Sequence, residues 1–171
     1  WNWKANGGTT ASNTNGTINS TVQANTTAGF SIVTYTGNGS GGATIGHGLG
    51  ATPKWFFVKS RSVSNRSWIH YHNGFGTTPQ NNYLNFTTAG GGTTSTAWNN
   101  TAPTTSVASL GSSAEVNENG TTFVGYCFAE KQGYSKFGSW TGNANADGPF
   151  IYTGFKPAWI LSKGLFTKDW V

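Results

Sequence analysis

The sequence predicts an all-β protein made of β-sandwich or jelly-roll-like modules, with short strands and loops rich in Gly, Asn and Thr. Three observations carry this expectation. Short runs of β-branched and aromatic residues alternate with turn clusters along the chain, the spacing of a many-stranded sandwich. No window holds a helical period, because Gly, Pro and Asn interrupt each one before three turns are complete. Aromatic residues make up 15% of the chain and charged residues only 9%, so there is ample core material and an uncharged polar surface.

The elements follow in order. Trp1 to Ala5 alternates aromatic and polar residues and reads as a strand. Residues 6–28 are almost wholly Gly, Thr, Ser and Asn, with Ile18 and Val22 as the only apolar residues besides Ala, and read as an inserted polar loop or edge hairpin. Strands are expected at Phe30 to Thr36, Ala43 to Gly46, Lys54 to Lys59, Trp68 to His72 and Tyr83 to Thr87, with Gly90-Gly91-Gly92 as a flexible turn. Further strands are expected at Thr104 to Leu110, Thr121 to Glu130, Tyr134 to Trp140, Phe150 to Thr153 and Ala158 to Lys163. Trp55-Phe56-Phe57-Val58 and Phe123 to Ala129 lack polar alternates, which marks central strands covered on both faces.

The chain also repeats itself. Gly29-Phe30-Ser31, Thr36-Gly37-Asn38, Gly50, Pro53, Trp55 and Lys59 are answered by Gly133-Tyr134-Ser135, Thr141-Gly142-Asn143, Gly154, Pro157, Trp159 and Lys163. Pro53 and Pro157 stand 104 positions apart, as do Gly29 and Gly133, and Ser67-Trp68-Ile69 matches Asp169-Trp170-Val171. A repeat of this length is one structural unit used twice. Residues 1–130 are therefore expected to form a first sandwich, and residues 131–171 the start of a second, truncated one. With no Met in the sequence, the chain reads as a piece of a longer, modular protein. Phe150, Phe155 and Trp159 of the second copy are expected to contact more protein, whether further polypeptide or a neighbouring subunit in a homo-oligomer.

Composition narrows the function. The net charge is +5, but the basic residues are scattered apart from Lys54, Lys59, Arg61 and Arg66, which argues against nucleic acid as a partner. No apolar run approaches the length of a membrane span and no signal peptide is visible. The single Cys127 has no internal disulfide partner and reads as a buried thiol.

The motifs Gly29-Phe30-Ser31-Ile32-Val33, Gly46-His47-Gly48-Leu49-Gly50, Trp98-Asn99-Asn100-Thr101-Ala102-Pro103, Tyr126-Cys127-Phe128-Ala129-Glu130, Gly133-Tyr134-Ser135-Lys136-Phe137-Gly138 and Asp147-Gly148-Pro149-Phe150 resemble a domain family of tailed bacteriophages, common in phages of marine bacteria. The resemblance covers nearly the whole chain. It implies a virion structural protein of tail or fibre type, located on an extracellular particle among other virion proteins. It carries over no site residues.

Sites of chemistry are few. His70 and His72 share a strand face, but no third ligand stands near them in sequence, so ordinary polar positions are expected rather than a metal site. Asn143-Ala144-Asn145-Ala146-Asp147-Gly148 echoes the first half of a calcium loop but has Gly154 where the motif needs Glu, and reads as a turn. None of the five acidic residues lies in a catalytic motif, so neither an enzyme nor a cofactor is expected. Trp55, Trp68 and Trp159 sit in strand patterns and read as core. Trp98, beside Asn99 and Asn100 on a polar stretch, is the candidate contact for a ligand such as a host-surface glycan. The expected function is a tail-fibre, spike or capsid-appendage module that displays adhesive loops. The alternatives are a secreted or cell-surface lectin-like module and, behind it, a glycan depolymerase.

Overall fold

The two runs without polar alternates become neighbouring central strands, Trp55–Ser60 (β5) and Thr122–Phe128 (β10), paired antiparallel with Phe128 opposite Trp55. The computed structural model describes residues 3–5, 8–86, 91–93, 95–164 and 171. Trp1, Thr87, Gly90, Asp169 and Trp170 lie outside the described residues.

Around this pair the chain lays down Ala11–Asn13 (β1), Ser20–Asn25 (β2), Phe30–Thr36 (β3), Ala43–Gly46 (β4), Ile69–His72 (β6), Asn82–Asn85 (β7), Gly91–Thr93 (β8) and Val107–Leu110 (β9). Two single-turn helices, Ser95–Trp98 (α1) and Ala114–Asn117 (α2), and a 3-10 turn at Pro79–Asn81 complete the described elements. Eight strands form one antiparallel sheet in the order β1-β2-β3-β10-β5-β6-β7-β8, and β4 and β9 form a second, two-stranded sheet. The protein is all-β, as its sequence predicts.

β10 sits between β3 and β5, so the sheet is joined by a strand far away in sequence. Side chains alternate across its pleat. One face carries Val33, Tyr35, Phe56, Val58, Phe123 and Cys127, all buried against Ala43, Ile45, Ala108 and Leu110 of the small sheet, with Trp98 of α1 and Val116 of α2. This is the sandwich core. Asn82 and Val116 tie the helices to the sheets, accepting from Trp98 Nε1 at 3.0 Å and from Tyr35 Oη at 2.6 Å. The opposite face carries Phe30, Trp55 and Phe128 with Ile32, Phe57 and Tyr126, and among the described residues no second sheet covers it.

Several expectations are corrected. Residues 3–5 are not a strand, and β9 begins at Val107 rather than Thr104. The hairpin expected within 6–28 does form: 11–13 and 20–25 pair antiparallel at the edge of the large sheet, with Val22 opposite Val33. Tyr134 to Trp140, Phe150 to Thr153 and Ala158 to Lys163 are not strands; among the described residues every strand lies between Ala11 and Phe128. Residues 131–164 run as an irregular arm, and Phe137 and Leu161 of that arm pack against the outer face.

Candidate functional site

The polar loops gather at one end of the sandwich around Asn117, which is wholly buried. Its Nδ2 donates to Ser40 O at 2.9 Å, Gly111 O at 3.1 Å and Asn38 Oδ1 at 3.2 Å. Its Oδ1 accepts from Asn38 N at 3.0 Å, and its backbone oxygen accepts from Gly39 N at 2.8 Å. One side chain thus holds three loops together and satisfies its own amide, as a buried polar group must. Asn99 and Asn100 follow α1 in the left-handed conformation, φ 52° and 50°, which Asn tolerates better than most residues. Both are exposed, and Asn99 lies near Gly41 and Gly42 with Ser112 close by, so this end presents amide and hydroxyl groups, bordered by the Arg66–Glu118 pair.

Trp98 is not part of that surface. It is fully buried, stacked edge-on against Phe56 at 4.6 Å between ring centres. No sugar ring can lie on it. The polar residues after it belong to the turn that ends α1, while its indole belongs to the core.

The outer face of the large sheet is an aromatic plate. Phe30, Phe128, Trp55 and His72 form one row across four adjacent strands, and Ile32, Tyr126, Phe57 and His70 form the next. Directly opposed residues on neighbouring strands lie on one side of the sheet, which makes each row continuous. Trp55 stacks on Phe128 at 4.8 Å and Phe57 on Tyr126 at 5.1 Å. The plate borders a 270 Å³ hollow rimmed by Trp3, Ile32, Phe57, Trp68 and Tyr126. Trp55 is buried and Trp68 half-buried.

His70 and His72 are part of this plate. Burial pushes His70 down to about 3, with His72 adding to the effect, and burial pushes His72 to about 4. Both are neutral at pH 7. His70 Nδ1 accepts from Trp55 Nε1 at 3.2 Å, and His72 Nδ1 accepts from Gly74 N at 3.0 Å. These bonds leave the proton of each ring on Nε2.

The arm crosses this face. Trp159 meets Trp3 edge-on at 5.4 Å. Between His72, Phe75 and Leu84 on one side and Trp140 and Leu161 on the other lies a 310 Å³ cavity. Much of the arm's apolar surface is open: Phe150 is 90%, Tyr152 78% and Trp159 40% exposed, while Phe155 is half-buried. The core expectation therefore fails for Trp159, which does not share the burial of Trp55.

The whole chain, residues 1–171, matches the family described as Domain of unknown function (DUF7483). The chain belongs to the DUF7483 family. No curated protein and no solved structure matches it.

Within this DUF7483 domain the acidic residues serve structure where their partners are visible. Glu118 accepts from Arg66 at 2.6 Å, and that bond holds its carboxyl below the usual range. Glu115 accepts from Ser67 N at 2.5 Å. Asn143 and Asp147 lie in an exposed turn whose Asn side chains accept from their own backbone two residues on, at 3.1 and 3.0 Å. Among the described residues no three His, Cys, Asp or Glu side chains are placed to hold a metal ion. What sequence reasoning missed in this DUF7483 domain is Asn117. Its one signal is an Asn beside Val116 in a short run between two turns, too weak to single it out.

Proposed function

We propose that this chain is a structural module of a tailed-phage particle, of tail-fibre, spike or capsid-appendage type. It assembles through the arm and presents the polar loop end to the surroundings. The observation that carries this reading is the exposure of Phe150, Tyr152 and Trp159 on one arm, at 90%, 78% and 40%. Large apolar patches on a soluble surface mark contacts with other protein. The repeated motifs and their resemblance to a phage domain family point to the kind of assembly. The loop end around Asn117 supplies amide and hydroxyl groups with little charge, the chemistry that hydrogen-bonds neutral glycans. Each such contact is weak, and an array of copies strengthens it.

The test is to purify particles on a density gradient from a lysate of the virus that encodes the chain, and to identify their proteins by mass spectrometry. Peptides of this chain at a level comparable to other structural proteins support the reading. Their absence from intact particles overturns it. The glycan-facing loop end also suits a secreted or cell-surface lectin-like module, and recovery of the chain from a cell-surface fraction instead of particles selects that second reading.

A further inference from the structure

The chain repeats one reactive dipeptide. Asn is followed by Gly at Asn6-Gly7, Asn15-Gly16, Asn38-Gly39, Asn73-Gly74 and Asn119-Gly120. The first pair lies outside the described residues. Glycine has no side chain to keep its nitrogen away from the carboxamide before it, so such a pair can close on itself. Closure needs a glycine N–H that is not held elsewhere and a carboxamide free to turn.

Three of the four described pairs fail that requirement. Gly39 N donates to Asn117 O at 2.8 Å, and Asn38 Oδ1 accepts from Ser40 N at 2.9 Å and from Asn117 Nδ2 at 3.2 Å. Gly74 N donates to His72 Nδ1 at 3.0 Å. Gly120 N donates to Gly37 O at 2.9 Å. Asn15-Gly16, between β1 and β2, differs. Asn15 is exposed and its backbone N donates to Asn13 Oδ1 at 3.0 Å, but among the described residues neither its carboxamide nor Gly16 N makes a hydrogen bond.

We propose that Asn15 is a modification site, converted to aspartate and isoaspartate in the folded chain ahead of the other described Asn-Gly pairs. Gly16 N attacks Asn15 Cγ and gives up its proton, Nδ2 leaves as ammonia, and a cyclic imide remains. Water then opens the ring. Adding at the side-chain carbonyl, it breaks the new Cγ–N bond and gives aspartate. Adding at the main-chain carbonyl, it breaks the original peptide bond and leaves the chain running through Cγ as isoaspartate.

The position gives this change a consequence. The segment is a joint between the large sheet and the small one. Thr17 N donates to Thr44 Oγ1 and Thr44 N to Thr17 Oγ1, both at 2.9 Å, and Ile18 N donates to Thr44 O at 3.0 Å. Gly16 packs so closely there that a Cβ on it would meet the backbone of Thr44 and Ile45. Isoaspartate adds a methylene to the backbone just before Gly16, and this packing has no room for it. The product loosens the joint to β4.

The experiment ages the folded full chain in mildly alkaline buffer, with the denatured chain alongside, and maps the peptides of both by mass spectrometry. In the denatured chain the described Asn-Gly pairs should convert at similar rates. In the folded chain Asn15 should convert about tenfold or more faster than Asn38, Asn73 and Asn119, whose hydrogen bonds must open first. The isoaspartate fraction should show faster amide exchange at Thr17 and Ile18. Four results overturn the inference: Asn15 intact in the aged folded chain, another of the three pairs keeping pace with it, the same order of rates in the denatured chain, or unchanged exchange at Thr17 and Ile18 in the isoaspartate fraction.

Discussion

The indole of Trp55 donates to Nδ1 of His70 at 3.2 Å, along the diagonal between β5 and β6. The bond exists only while His70 lacks a proton on Nδ1. Burial lowers His70 to about 3 in the folded chain, against an ordinary value near 6.5. Between these values the unfolded chain binds more protons than the folded one, so stability is complete above about pH 6.5 and falls as the pH drops. The shift corresponds to a loss of about 4 kcal/mol by pH 3, with His72 acting in the same direction. Urea unfolding at pH 7, 5 and 4 should show a falling midpoint, and His70→Gln should flatten that fall.

Trp55 and Trp159 should part company under truncation. Trp55→Ala empties a stacked, buried site and should cost about 3–5 kcal/mol. Trp159→Ala removes a ring that is 40% exposed and should cost about 1 kcal/mol or less in the isolated chain. Denaturant midpoints of the two variants measure both.

Asn117→Ala should loosen the loop end. It strips partners from Ser40 O, Gly111 O and Asn38 N at once. Only the bond to Gly111 O is fully buried, and Ser40 O also accepts from Ala43 N at 3.3 Å, so a loss of about 1–3 kcal/mol is expected. Amide exchange should rise at residues 38–42 and around 111–120 while the strand amides of β5 and β10 keep their rank order.

Cys127 should be inert in the folded chain. Burial pushes its thiol up to about 12, so almost no thiolate exists at pH 8. Iodoacetamide should label it only under denaturing conditions, which mass spectrometry reads directly.

How far the sequence reveals this protein depends on where the deciding partner lies. Trp55-Phe56-Phe57-Val58 and Phe123 to Ala129 identify the central strands because a run without polar alternates has only one comfortable place in a sheet. Trp98 misleads because its neighbours Asn99 and Asn100 face water while its own acceptor, Asn82 O, comes from strand β7. Tyr134 to Trp140 looks like a strand for a sound local reason, since Tyr134-Ser135 repeats the start of β3, but among the described residues it makes only the single bridge Lys131–Ser135 and no ladder. Asn117 is silent in the sequence because Asn38 and Ser40, the partners that make it a hub, lie 79 and 77 positions away.

The position of β10 also sets a timetable. β3 and β5 are synthesised well before the strand that joins them, and each emerges from the ribosome with an open hydrogen-bonding edge. Phe30 and Trp55 are not sealed until Phe128 is made. Pairings between residues so distant in sequence raise the contact order and slow the search for the native topology. Until then the nascent chain exposes aromatic edges prone to joining those of neighbouring chains. Slow synthesis or crowding of polysomes should therefore raise aggregation during expression, and early engagement of a holding chaperone should relieve it.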